Sequence, residues 1–189
     1  MKQPVVILLA AGFSRRYQQA TGRHKLLEEL TGTGMTIFQH SLGNVLRTGL
    51  PVCVVLRPGS QELQAFCQRV DVPFVCVESQ GMGDSLAAGV QAMGEAGGWI
   101  ITLADLPYIL PQTYDDIAQA VRAGQCARPV YHGQPGHPVG FPASMRTSLV
   151  ALQGSGGARD LLKTHPPLNI ESEDPGCVWD IDLPGDLKI

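Results

Sequence analysis

No stretch of the 189-residue chain approaches the ~18 consecutive apolar residues that a membrane-spanning helix needs. The first apolar run, Val5 to Ala11, follows a single Lys and stops at Gly12, too short for the core of a signal peptide. A cytoplasmic protein with no membrane partner is the expectation. Charge is also scarce: charged residues make up 16% of the chain, the formal net charge is -3, and there is no acidic or basic tail. Without a cationic stripe, a nucleic-acid partner is disfavoured and a small-molecule substrate fits better. The five cysteines, at 53, 67, 76, 126 and 177, are odd in number and contain no CxxC pair. That excludes the common zinc and redox pairings and points to buried free thiols in a reducing compartment. Two glycine signatures are missing as well. Gly12 stands alone, so the first loop is neither the GxGxxG turn of dehydrogenases nor a Walker loop.

What is present reads as one domain over residues 1–189, with 44% hydrophobic residues. Apolar runs rich in β-branched residues recur at Val5–Leu9, Val52–Leu56, Phe74–Val77 and Trp99–Leu103. They show no polar alternation, as expected of strands buried on both faces. Between them lie segments of helical spacing, carried by Ile37, Ser41, Leu42 and Val45, by Leu63, Phe66 and Cys67, and by Leu86, Ala87, Val90 and Met93. The pattern predicts a Rossmann-like, doubly wound α/β fold, a mostly parallel sheet with helices on both faces.

Past Asp105 the rhythm loosens. Pro111 opens a predicted helix through Val121 that Gly124 closes, and a strand follows at Ala127–Tyr131. His132–Pro142, with three glycines and three prolines, reads as a turn or hairpin excursion. Helices are expected near Ala143–Leu152 and Ala158–Lys163, and strands at Leu168–Glu171 and Cys177–Ile181.

Chemistry concentrates at the ends of the apolar strands, the edge where open α/β sheets bind ligands. Val5–Leu9 runs into the small-residue turn Ala10, Ala11, Gly12, Phe13 and Ser14, where backbone N–H groups can approach an anion closely. Arg15, Arg16, Arg23 and Lys25 then place 4 of the 14 Lys and Arg residues within eleven positions, a density suited to a polyphosphate. An ordinary surface loop is the competing reading of such a turn. Gly81–Leu86 is a second glycine-punctuated loop opening a helix, with Asp84 or Ser85 as the expected N-cap. Asp105, just past Trp99–Leu103, can hold a hard cation through oxygen or can simply form a turn before Pro107. Asp180 and Asp182 alternate along the last expected strand and would share a face.

LLAAGFSRRY followed by HKLLEEL resembles the LAAGxSxR…K signature of the molybdenum cofactor nucleotidyltransferases, a branch of the nucleotidyltransferase superfamily. GMGDSL, TLADLP, GHPVGF and WDIDLPGDL resemble further segments of the same family, in the same order. The departures are Tyr17 and Gln18 for the usual Met and Gly, Ala104 for Gly, and Pro135 for Arg. The resemblance implies that Leu9–Ser14 with Gly81, Gly83 and Ser85 bind a nucleoside triphosphate. It also implies that Arg16 and Lys25 neutralise the phosphates, and that Asp105 with Asp180 and Asp182 holds magnesium. His137 would border the acceptor.

The implied reaction is nucleotidyl transfer to a phosphorylated acceptor with release of pyrophosphate. The Ala10–Ala11 pair is the form more typical of CTP than of GTP. By resemblance the acceptor is a molybdopterin-type cofactor, with a molybdenum enzyme as possible recipient of the product. Related enzymes act as guanylyl or sugar-phosphate nucleotidyltransferases. A module that carries nucleotide or cofactor without catalysis is the alternative from another class.

Overall fold

The structure, a computed structural model, describes residues 2–187. In chain order the elements are β1 (Val5–Leu9), α1 (Arg15–Thr21), α2 (Ile37–Leu46), β2 (Val52–Leu56), α3 (Gln61–Arg69), β3 (Phe74–Cys76), α4 (Met82–Ala92), β4 (Gly98–Leu103), α5 (Pro111–Arg122), β5 (Ala127–Tyr131), β6 (Gln134–Pro135), β7 (Val139–Pro142), α6 (Arg146–Val150), α7 (Arg159–Thr164) and β8 (Leu168–Glu171). All eight strands join one sheet in the order β3-β2-β1-β4-β7-β5-β6, with β8 paired to β5. β3, β2, β1 and β4 run parallel, and β7 is antiparallel to both of its neighbours, β4 and β5.

Alternation along each strand sends side chains into two cores. Val6, Leu8, Val54 and Ile100 meet α2, α3 and α5 through residues such as Phe38, Leu42, Leu63 and Ile117. Ile7, Val55, Trp99 and Ile101 meet α4 and α6 through Leu86, Val90 and Leu149 on the opposite face. The doubly wound α/β reading is correct. Leu9 is in register with Val55 on one side and Leu103 on the other, so the carboxyl ends of three central strands are level. Arg57 and Asp105 each lie two residues beyond that line.

Three details differ from the sequence reading and a fourth extends it. The His132–Pro142 excursion is the expected hairpin, and it also contributes a strand to the sheet. His132 and Gly133, both at positive φ, close a two-residue hairpin between β5 and β6, and β7 then inserts beside β4. Cys177–Ile181 is not a strand: Asp174 accepts from the Gly176 N–H and winds Pro175–Val178 into a 3-10 turn, after which the chain is irregular. The helix expected over 143–152 is a 3-10 turn followed by the short α6. The cysteines form no disulfide, but Cys76, at the end of the edge strand β3, is exposed, and Cys126, just before β5, is half-buried. Burial pushes the thiols of Cys53, Cys67 and Cys177 up to about 11, which keeps them protonated and inert.

Candidate active site

The turn after β1 keeps the level of the sheet for one residue and then leaves it. The Ala10 N–H is taken by the Val55 carbonyl, so the N–H groups left for a ligand begin at Ala11. Ser14 adopts a left-handed conformation (φ 54°) and starts α1. Tyr17, 1% exposed, plugs that helix into the core, which gives the residue replacing the family's Met a packing role. Gly22, at φ 73°, ends α1 and returns the chain to His24 and Lys25.

His24 braces this return, a role the sequence reading did not assign. Its Nδ1 accepts from the Leu26 N–H at 3.3 Å, while Nε2 faces the Ser14 hydroxyl at 3.4 Å. Burial pushes the imidazole below its ordinary range, and Lys25 beside it acts in the same direction, against a hydrogen bond to the Gly12 backbone. A neutral ring therefore ties the first turn to the segment that carries Lys25.

Lys25 Nζ reaches Asp105 Oδ2 at 2.7 Å, the Ile181 carbonyl at 2.8 Å and Asp182 Oδ1 at 3.4 Å. Arg16 Nη1 bonds the other oxygen of Asp182 at 3.1 Å, from a far more exposed position. Carboxylate oxygens of Asp105, Asp180 and Asp182 lie within 4.8 Å of one another. Oδ1 of Asp105 is buried with no hydrogen-bond partner. An orphaned carboxylate oxygen inside an all-oxygen cluster fits a hard divalent cation such as magnesium or manganese.

The two C-terminal aspartates arrive without a strand because other contacts fix their segment. Asp174, 5% exposed, accepts from the Leu110 N–H (2.9 Å), the Thr113 hydroxyl (2.6 Å) and the Gly176 N–H (2.8 Å), pinning the segment to the start of α5. A side chain at Gly176 would meet the Tyr108 carbonyl at 2.0 Å, so only glycine permits that approach. The Ile181 N–H bonds the Asp105 carbonyl at 3.0 Å, and Asp186 Oδ2 accepts from the N–H groups of Asp182 and Leu183. The β6–β7 loop packs on the same segment through His137 N–H to the Cys177 carbonyl.

Leu9 to Ser14, Lys25, Gly81, Ser85 and Asp105 line one cavity of about 260 Å³. Gly83 is not on its wall. Its missing side chain accommodates the Gln153 carbonyl, 2.8 Å from where a Cβ would stand, while Gly81 makes a similar approach to Gly154. The α4 cap is Gly81, not Asp84 or Ser85. Asp84 accepts instead from Gly154 and Gln80 N–H groups, which hold its carboxyl below the usual range, and the Ser85 hydroxyl bonds that of Ser79 at 2.7 Å. Arg57, also unforeseen, lines the cavity. Its signal was the one that exposed Asp105: a lone charge just beyond an uncharged strand of mainly apolar residues.

A second cavity of about 410 Å³ adjoins the first through Met82, which lines both. His137 is on its wall with Arg128, Arg159 and Lys163 above an apolar floor that includes Leu86, Ile101 and Phe141. Burial pushes His137 below its ordinary range, and the nearby charges of Asp105 and Asp180 pull it back up. The two cavities and the acidic cluster therefore share one edge of the sheet.

A parallel α/β sheet with an anion-ready turn, a lysine and an acidic cluster at its carboxyl edge defines a nucleotide-binding protein class. The chain belongs to the MobA-like NTP transferase family, whose domain model matches residues 6–169. No curated protein sequence matches it. Among solved structures it is similar to Rv0371c from Mycobacterium tuberculosis H37Rv, at 25% identity and a TM-score of 0.84, covering 98% of this chain and 95% of that one. A manganese complex of Rv0371C matches at 24% identity and a TM-score of 0.78, covering 97% and 95%. Molybdopterin-guanine dinucleotide biosynthesis protein A from Archaeoglobus fulgidus matches at 17% identity and 0.69, covering 97% and 94%.

Proposed function

We propose that this chain is a magnesium-dependent nucleotidyltransferase that moves CMP from CTP to a phosphorylated acceptor of the molybdopterin type, releasing pyrophosphate. The observation that carries this reading is the meeting of Lys25 with the Asp105, Asp180 and Asp182 cluster at one end of the cavity formed by Leu9–Ser14. Cation, carboxylates and free N–H groups are the parts phosphoryl chemistry needs, since the enzyme mainly positions anions and neutralises developing charge.

An oxygen of the acceptor phosphate attacks the α-phosphorus, the bond from that phosphorus to the bridging oxygen breaks, and pyrophosphate leaves with the electron pair. The attacking phosphate is already ionised at neutral pH, so no side chain must remove a proton. N–H groups from Ala11 to Ser14 hold phosphate oxygens, and Lys25 offsets the charge that gathers on the leaving group. Asp105, Asp180 and Asp182 would hold the divalent ion, which supplies further neutralisation. The second cavity, with His137 and its cations, suits an anionic acceptor carrying an apolar body. The Ala10–Ala11 turn favours CTP over GTP through the family resemblance. The manganese found in a neighbouring fold and the Archaeoglobus protein's name support the metal and the class of acceptor.

The test is pyrophosphate release from CTP or GTP with magnesium and phosphorylated acceptors, molybdopterin included, in wild type and Asp105→Ala. Turnover that needs Asp105 and prefers CTP supports the proposal. Nucleotide binding by both proteins with no turnover on any acceptor would mean a carrier instead.

A further inference from the structure

The geometry points to Arg57 as the residue that selects the base of the nucleotide, by donating to a keto oxygen. This rests on the nucleotide reading proposed above and adds to it what distinguishes one triphosphate from another.

Arg57 leaves β2 as Asp105 leaves β4, and β1 lies between those strands. The two residues are each two positions past the common register line, so they stand about two strand spacings apart, roughly 10 Å. That is the reach of a nucleotide laid across the sheet edge, phosphates at the Lys25–Asp105 end and base at the Arg57 end. Both residues line the same cavity, together with Phe13, Ser79 and Gln80.

The Arg57 side chain is held in place there. Its guanidinium lies over the Phe13 ring, 3.5 Å from the centroid, and one Nη donates to the Ser79 carbonyl. It thus joins the turn after β1 to the loop before α4, the two walls of the cavity. Gln64 of α3 bonds the carbonyls of Arg57 and Pro58 at 3.1 and 2.9 Å, which fixes the backbone beneath. Among the described residues no carboxylate pairs with Arg57, and its Nε is buried without an acceptor. A planar fork with donors in hand and no acid to quench them recognises acceptor pairs. Guanine offers O6 with N7 and cytosine O2 with N3, while uracil has two keto oxygens. Adenine has no keto oxygen and presents an amino donor beside N7, which repels the fork. Phosphate binding is the competing duty for such a cation, but Lys25 and Arg16 already occupy the metal end.

The experiment is calorimetric titration of the intact chain with CTP, UTP, GTP, ATP and inorganic pyrophosphate, all with magnesium, repeated for Arg57→Gln and Arg57→Lys. Wild type is expected to bind the keto-bearing triphosphates at least tenfold more tightly than ATP. Arg57→Gln should bring the CTP/ATP ratio close to one while pyrophosphate affinity stays the same; Arg57→Lys should retain part of the ratio. Equal losses for CTP, ATP and pyrophosphate in Arg57→Gln would overturn the assignment, as would an unchanged ratio. If Arg57→Gln does not fold, Arg57→Lys decides, because it keeps the charge and removes the planar fork: a lowered CTP/ATP ratio supports the assignment and an unchanged one overturns it, as does a wild type that binds ATP as well as CTP. Binding of neither nucleotide nor pyrophosphate by wild type would overturn the nucleotide reading itself, a result distinct from triphosphate binding without base preference.

Discussion

Lys25 Nζ stands 2.7 Å from Asp105 Oδ2, so the cation that would meet phosphate and the carboxylate that would meet metal neutralise each other. Both side chains are largely buried, 13% and 20% exposed, so neither is well compensated by water alone. A divalent ion drawn to the orphaned Asp105 Oδ1 and its neighbouring carboxylates would weaken the hold of those carboxylates on Lys25 and leave it freer for phosphate. Metal and nucleotide should therefore bind with positive coupling. Titrating CTP in manganese and then in EDTA should show affinity falling at least tenfold without metal, and the reciprocal effect of CTP on manganese binding should match it. Equal CTP affinity in both buffers would disprove the exchange.

Arg16 and Lys25 sit at the same acidic group but differ in burial, and the difference predicts different mutants. The Arg16–Asp182 pair is 78% and 42% exposed, so its loss should change stability by less than about 1 kcal/mol. Arg16→Ala should raise KM for the nucleotide with a modest effect on kcat. Lys25→Ala removes an enclosed cation from the charge that develops in the transition state, and should lower kcat by about 10²–10³-fold. Steady-state pyrophosphate release with each variant separates the two effects.

The acidic cluster depends on residues that never touch substrate. Asp174 holds three hydrogen bonds in a buried setting, and Asp174→Ala would strand the Leu110 N–H and release the segment leading to Asp180 and Asp182. A loss of roughly 3 kcal/mol is expected in denaturant unfolding, with charged hydrogen bonds worth about 1.5–3 kcal/mol each. Gly176→Ala should weaken the protein as well, because the Tyr108 carbonyl occupies the space of the new methyl. Both variants should lose metal affinity although they leave all three aspartates in place. Manganese titration of the folded fraction checks this.

Much of this site was legible because its logic is local. An apolar strand followed by small residues or by one charge marks the ligand edge, and that rule exposed Leu9–Ser14 and Asp105. The same rule applies to Arg57 after Val52–Leu56, but no neighbouring motif drew attention to it. Asp174 and Gly176 could not be found this way, since their partners are Leu110, Thr113 and Tyr108, more than sixty residues away. Asp180 and Asp182 were matched to the cluster for the wrong structural reason. Their shared face was ascribed to a strand, whereas hydrogen bonds from Ile181 and to Asp186 bring them there. β7 was hidden by its glycines and prolines. Gly140 is tolerated in the sheet because Ile117 and Val121 of α5 fill the space above it.

Protonation should separate His24 from the rest of the site. Burial holds the His24 imidazole below its ordinary value of 6.5, and the same is true of His137. In the unfolded chain both rings take up protons near pH 6.5, while the folded protein resists until lower pH. The unfolded state thus binds more protons in that window, and stability falls as pH drops from 6.5 through the folded values. Above pH 7 these contributions are complete and the slope should vanish. In His24→Asn the amide oxygen can still accept from Leu26, but the side chain no longer titrates. Thermal unfolding between pH 7.5 and 5 should show a shallower acid slope for this variant than for wild type. An identical slope would locate the effect in His137 alone, and a steeper one would contradict the neutral brace assigned to His24.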